Sequence, residues 1–289
     1  GRLLQAGRDV AIIARGEHLS AIQQDGLRVY SPDGDFAVEP ALATDDPASI
    51  GPVDLILFCV RAHDVRQAAE MLRPVMQPHT TVLPIQNGIG HIDELCDLLG
   101  AEHVLGGVSL LSGLISSPGH IRHNRGPDSV EFGEIEGGLS ARCERIEQTL
   151  AVHGFRATAC PNIVERMWWK FAAYAGVGVF CVVRGDRGVV WGTPETKELY
   201  RQAIAEAVTV ARAKGIPLAA TVPEEHIAIL DAAPPHWKPS MLVALERGRH
   251  LELESLQSHL CAIGREVGVP TPINDTVYAC LKPYIEGAP

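Results

Sequence analysis

No apolar run in this sequence approaches the roughly 20 residues that a bilayer span needs, so the chain is not expected to cross a membrane. No signal peptide opens it. Basic clusters are scarce as well. The formal charge is −10, and the longest basic stretch, Glu246-Arg247-Gly248-Arg249-His250, is broken by an acid and a glycine. That excludes the basic patch of a nucleic-acid-binding surface. A small anion is not excluded, because a single Arg or Lys can hold one. The Cys-x-x-Cys motif is missing too. The seven cysteines, an odd number, are Cys59, Cys96, Cys143, Cys160, Cys181, Cys261 and Cys280. Neither a disulfide framework nor a zinc ribbon fits, and reduced thiols of a cytoplasmic protein are the expectation. The close pair His120 and His123 lies in an alternating, strand-like stretch, where a spacing of three points the rings to opposite faces, so no metal site is expected there. Internal repeats and low-complexity segments are also missing.

What is present is the composition of a folded chain. Hydrophobic residues are 46% and charged residues 21%, which rules out disorder, and 289 residues make about two domains. Up to about Cys160, short β-branched runs alternate with amphipathic stretches. The runs are Val10–Ala14, Val53–Val60, Thr80–Leu83, Val104–Leu111, His120–His123 and Ser129–Phe132. The helices are read over His18–Gln24, His63–Leu72, His91–Leu99 and Ala141–His153. Alternation of this kind predicts a βαβ sheet with parallel central strands. After Cys160 the strand signals stop. Trp168–Val183, Pro194–Lys214, Pro223–Leu230, Leu251–Val267 and Ile273–Leu281 read as helices, with prolines and glycines in the gaps. The expected organisation is an α/β, Rossmann-like dinucleotide-binding domain over 1–161 and an all-α domain over 162–289. The apolar stretch Phe171–Val183 has two readings: a buried core helix, or the interface of a homodimer.

The N-terminal stretch Gly1–Gly7 reads as the last turns of a helix stopped by a glycine, and the strand after it ends at Arg15. This is the pattern of the second part of a dinucleotide-binding βαβ unit, whose second strand ends at the cofactor ribose. An acid there selects NAD, and an Arg can pair with the 2′-phosphate of NADP. The first strand and the Gly-x-Gly-x-x-Gly turn are expected to be absent, a gap of roughly 15 residues. Two further positions stand out. Asn87, in Gln86-Asn87-Gly88-Ile89-Gly90, is either a turn residue in the left-handed conformation or a site residue. Lys170, in the apolar helix Met167-Trp168-Trp169-Lys170-Phe171, either snorkels to water or points into a cleft.

Taken in order, several stretches resemble the ketopantoate reductase family (2-dehydropantoate 2-reductases). They are Gly1-Arg2-Leu3 with Ala6-Gly7, Asp9-Val10 and Arg15; Val53-Asp54 through Val60-Arg61-Ala62; and Pro84-Ile85-Gln86-Asn87-Gly88-Ile89-Gly90. Farther along come Trp169-Lys170-Phe171, then Ser240-Met241-Leu242 with Glu246, Gly248, Arg249 and Glu252, and last Gly268-Val269-Pro270-Thr271-Pro272. The resemblance spans almost the whole chain. It implies NADPH as cofactor, with Arg15, Arg61 (usually a Lys in the family) and Asn87 as cofactor contacts. It implies Lys170 as the general acid that protonates the carbonyl oxygen, and Glu252 as the residue that orients substrate and couples to the Lys. Asn87 also contacts substrate, and Ser240 binds its carboxylate. Glu254, two residues on from Glu252, points to another face and is expected to be solvated.

Some positions depart from the family pattern. Asparagines four and eight residues after the Lys are Tyr174 and Gly178 here, and an Asp after Ser-Met-Leu is Ala244. Tyr174 is therefore read as a substrate contact, in a pocket less polar than the family's. Three functions follow. The first is NADPH-dependent reduction of a 2-oxo acid, with 2-dehydropantoate leading to pantoate and pantothenate. The second is a D-2-hydroxy-acid dehydrogenase acting on a branched or aromatic 2-oxo acid, for which Tyr174 and Gly178 leave room. The third, of another class, is a non-catalytic nucleotide- or metabolite-binding protein.

Overall fold

A computed structural model describes residues 1–287, with every side chain among them except that of Arg125. The chain forms two compact units. One contains Gly1–Gln86 and His91–Ile163, and the other contains Asn87–Gly90 and the chain from Val164 onward.

The first unit is α/β. Its elements in order are α1 (Arg2–Gln5), β1 (Ala11–Ile13), α2 (Gly16–Asp25), β2 (Leu27–Tyr30), β3 (Phe36–Val38), β4 (Leu42–Thr44) and β5 (Leu55–Phe58). They continue with α3 (Val65–Leu72), β6 (Thr81–Pro84), α4 (His91–Leu99), β7 (Gly106–Ser117), β8 (His120–Gly133), α5 (Ala141–Leu150) and β9 (Arg156–Ala159). Two parallel ribbons form, β1 with β4 and β5 with β6, each joined through the intervening helix or strands. The β6 face is wholly buried, as a strand covered on both sides must be. Leu83 packs with Phe132, Cys143, Ile146 and Leu150 to make one core.

The expectation of a parallel sheet needs correcting in the second half of this unit. The runs read as separate strands at 120–123 and 129–132 are one long strand, β8, and it pairs antiparallel with β7. The cause is the connection. Only Pro118 and Gly119 separate the two strands, and a parallel pair needs a crossover of a dozen residues or more. β2 and β9 then dock in parallel along the other edge of β8, end to end, and β3 closes the mixed five-stranded sheet.

The second unit is helical from Val164 on. It contains α6 (Ile163–Val183), α7 (Arg187–Gly192), α8 (Pro194–Ala213), α9 (Val222–Asp231), α10 (Ser240–Glu246), α11 (His259–Glu266) and α12 (Pro272–Leu281). The stretch read as a single helix over 251–267 is a π-helical turn, Glu254–Ser258, running into α11. α6 is apolar almost all round, and such a helix has to be buried. Phe171, Ala172, Ala175, Val179, Phe180 and Cys181 are all within the core with Tyr200, Leu242 and Leu253, so this face is core packing. Among the described residues no helix is long and apolar enough to cross a membrane.

Candidate active site

Within the second unit, three elements converge. The first is the turn Asn87–Gly90. Asn87 is not among the described residues with positive φ; the left-handed residue is Gly88, at φ +88°. The side chain of Asn87 is thus placed by a turn that its neighbour makes. The second element is α6, where Lys170 and Tyr174, four apart, lie on one stripe. The third is the segment leading into the π turn, which carries Glu252.

The Asn87 amide joins them. Lys170 Nζ donates to Asn87 Oδ1 at 3.2 Å, and the Tyr174 hydroxyl donates to the same oxygen at 2.6 Å. On its other side Asn87 Nδ2 donates to Glu252 Oε2 at 3.2 Å. One carboxamide therefore separates a cation from an anion and orients both. Lys170 Nζ also lies 5.9 Å from the centre of the Tyr174 ring, at the outer limit of a cation–π contact.

Burial lowers the Lys170 pKa to about 8, against the attraction of Glu252, which raises it. The ammonium is therefore poised to give up a proton near neutrality. Burial, reinforced by the Glu252 charge, moves the Tyr174 phenol well upward, so it stays a hydrogen-bond donor. A half-buried donor cation with an oriented carboxylate beside it can stabilise a developing alkoxide and deliver a proton to it.

The other site candidates lie elsewhere. Ser240 opens α10, is exposed, and stands outside the Asn87 network. Glu254 is exposed, accepts from the Tyr278 hydroxyl at 3.0 Å and pairs with Lys282, in keeping with the solvated role read for it. In the first unit, Arg15 caps α2 directly after β1, with Nη2 2.9 Å from Met71 Sδ, and Arg61 follows β5 at the head of a 3₁₀ turn, Ala62–Asp64. Both guanidinium groups are exposed at the carboxyl ends of parallel strands, the end of such sheets where ligands bind.

Sequence reading missed Gln257. It is 1% exposed, and its Nε2 donates to the Tyr174 carbonyl at 2.7 Å. Gly178 does not open a pocket for a large substrate, as the sequence suggested. A side chain there would meet Val277 Cγ1 at 2.4 Å and Gln257 Nε2 at 2.9 Å. In the first unit Asp33, His123 and Asp128 bring ligand-type atoms within 4.8 Å of one another. Both His123 nitrogens are already engaged, Nδ1 with Ser31 Oγ at 2.9 Å and Nε2 with Asp128 Oδ1 at 2.6 Å. Arg2 lies 3.5 Å from Asp33.

Comparison with known proteins points in one direction. The family described as ketopantoate reductase PanE/ApbA matches residues 1–137, and its C-terminal counterpart matches residues 162–285. A 2-dehydropantoate 2-reductase from Mesorhizobium japonicum is 28% identical over 303 residues, covering 97% of this chain and 92% of its own. A PanE/ApbA family ketopantoate reductase from Ralstonia eutropha JMP134 superposes with a TM-score of 0.89 at 26% identity, covering 98% of this chain and 93% of that one. A D-mandelate dehydrogenase solved with NADH and anilino(oxo)acetate has the same fold, with a TM-score of 0.88 at 21% identity and coverage of 98% and 92%.

Proposed function

The chain belongs to the ketopantoate reductase family, a family of NAD(P)H-dependent oxidoreductases acting on CH–OH, and from that premise we propose that it reduces a 2-oxo acid to the 2-hydroxy acid with NADPH, 2-dehydropantoate being the substrate. The observation that carries this reading is the Lys170–Asn87–Glu252 bridge, a proton donor and an anion held by a single amide.

NADPH supplies the hydride when bound. Arg15 and Arg61 fit an anionic dinucleotide, being exposed guanidinium groups at strand carboxyl ends, and Arg15 is assigned to the 2′-phosphate. Lys170 holds the proton that the carbonyl oxygen receives, and its charge stabilises that oxygen as negative charge builds. Asn87 keeps the ammonium from collapsing onto Glu252, and Glu252 orients the substrate. Ser240 is assigned to the substrate carboxylate, and Tyr174 keeps the Asn87 amide in its productive orientation.

Losing a charge-assisted contact of about 1.5–3 kcal/mol should change relative affinity by roughly 10- to 100-fold. Arg15→Glu, which adds repulsion, is expected to raise the KM for NADPH by at least that factor while leaving or improving NADH use. Steady-state kinetics with both cofactors check this, and an unchanged NADPH preference would remove Arg15 from the cofactor contacts.

A second reading, a D-2-hydroxy-acid dehydrogenase for an aromatic 2-oxo acid, rests on the Tyr174 ring beside Lys170, where the family carries an amide. A panel of 2-oxo acids with NADPH and NADH, followed by absorbance, separates the two. Turnover of ketopantoate well above phenylglyoxylate supports the first, and the reverse order supports the second. If no 2-oxo acid is turned over, both fail.

A further inference from the structure

Gln257 is not one of the residues that form the Asn87 bridge, yet it is tied to it. Lys170, Tyr174 and Gly178 follow one another at intervals of four along a single stripe of α6. The Gln257 carboxamide fills the space at Gly178 and donates to the main-chain carbonyl of Tyr174 at 2.7 Å. The π turn puts it there. Residues five apart stand about 140° from each other on an α-helix. Where bonds run from i+5 back to i, they return to nearly the same side. Ser258 N–H donates to Leu253 O at 3.1 Å in that pattern. Glu252 and Gln257, five apart, therefore both address the α6 stripe, one through Asn87 and the other at Tyr174.

The arrangement is not what packing alone selects. Gln257 Oε1 is buried with no hydrogen-bond partner among the described residues. An orphan acceptor costs stability, and an apolar side chain of similar size avoids the cost. We propose that Gln257 is a positioning residue for the reaction: it anchors the Tyr174 main chain, so that the phenol holds the Asn87 amide with one end toward Lys170 and the other toward Glu252. This rests on the functional reading above, and it concerns a residue that touches neither substrate nor cofactor.

The test is a double-mutant cycle of Gln257→Leu and Tyr174→Phe, read by kcat, KM and melting temperature. Gln257→Leu should lower kcat about tenfold with the 2-oxo acid KM changed less than about twofold, a loss confined to the transition state. Its melting temperature should stay at or above that of the wild type. Tyr174→Phe should lower kcat similarly, and the double variant should be no slower than the slower single one, since both act through the same phenol. Additive losses, or a fall in kcat that tracks a fall in melting temperature, would overturn the proposal. A readout without turnover keeps it separate from the functional reading. In ¹³C-lysine NMR of the full chain, the Lys170 resonance should move in Gln257→Leu and move no further in the double variant. An unmoved resonance overturns the positioning role, whereas a wild-type chain with no turnover but a shifted Lys170 signal overturns only the functional reading.

Discussion

Lys170→Ala should lower kcat for 2-oxo acid reduction by about 10³-fold, close to 4 kcal/mol of transition-state stabilisation. The size follows from where the charge sits. Lys170 is half-buried on an apolar helix, so its field at a neighbouring oxygen is screened far less than a surface lysine's would be. In the proposed reaction the oxygen it serves is neutral in the substrate and negative as hydride arrives, so the interaction acts on the transition state more than on binding. The cofactor KM should therefore barely move. Lys170→Arg should not rescue, because a guanidinium keeps its proton at any working pH.

The pH profile carries a second signature of the same group. On the proposed role, reduction needs the protonated ammonium, and burial has brought its pKa to about 8. The reduction rate should therefore fall as pH rises through about 8, and the reverse reaction, which needs the free amine, should rise through the same range. Steady-state rates across a pH series in both directions test this. A Lys170→Ala enzyme with near-normal turnover, or with the same alkaline limb as the wild type, would take the proton away from Lys170.

How far the site is legible in the sequence depends on the kind of order involved. Lys170 stands out as a lone cation inside Met167-Trp168-Trp169-Lys170-Phe171, but the residues alone leave it between snorkelling and a cleft, and only the ordered resemblance singles out its role and Tyr174 four residues on. Asn87 is readable as special, but its sequence leaves open which residue makes the turn; the backbone assigns the left-handed conformation to Gly88. Gln257 is not readable, because a 3.6-residue period over 251–267 turns it to a different side from Glu252, and the π turn is what lets both address α6. The same limit holds in the first unit. Apolar runs such as Leu55–Phe58 announce strands, yet the direction of β8 against β7 is decided by a two-residue connection, not by hydrophobicity. The short strands β2, β3 and β4 carry too few residues for a period to register.

Gly88→Ala should reduce kcat/KM by about 10²-fold while the fold survives. Two effects combine at this residue. An alanine at φ +88° pays roughly 1–2 kcal/mol for the left-handed conformation. Its Cβ would also lie 2.9 Å from the Ser255 carbonyl oxygen, a main-chain atom that no rotamer change moves aside. Relief requires the turn and the π segment to part. Those two pieces carry Asn87 and Glu252, and Ser255 Oγ itself donates to the Glu252 carbonyl at 3.1 Å. A separation of even part of an ångström lengthens the 3.2 Å Asn87–Glu252 bond and frees the amide that aims Lys170. Gly215→Ala is the control. Gly215 has the same φ of +88° and nothing within 4 Å of its would-be Cβ. It should share the conformational penalty, visible as a lower melting temperature, and keep full activity. Kinetics and thermal melts of both variants separate strain from displacement. Equal activity in the two would mean that the close approach of Gly88 to the π turn does not hold the catalytic pair together.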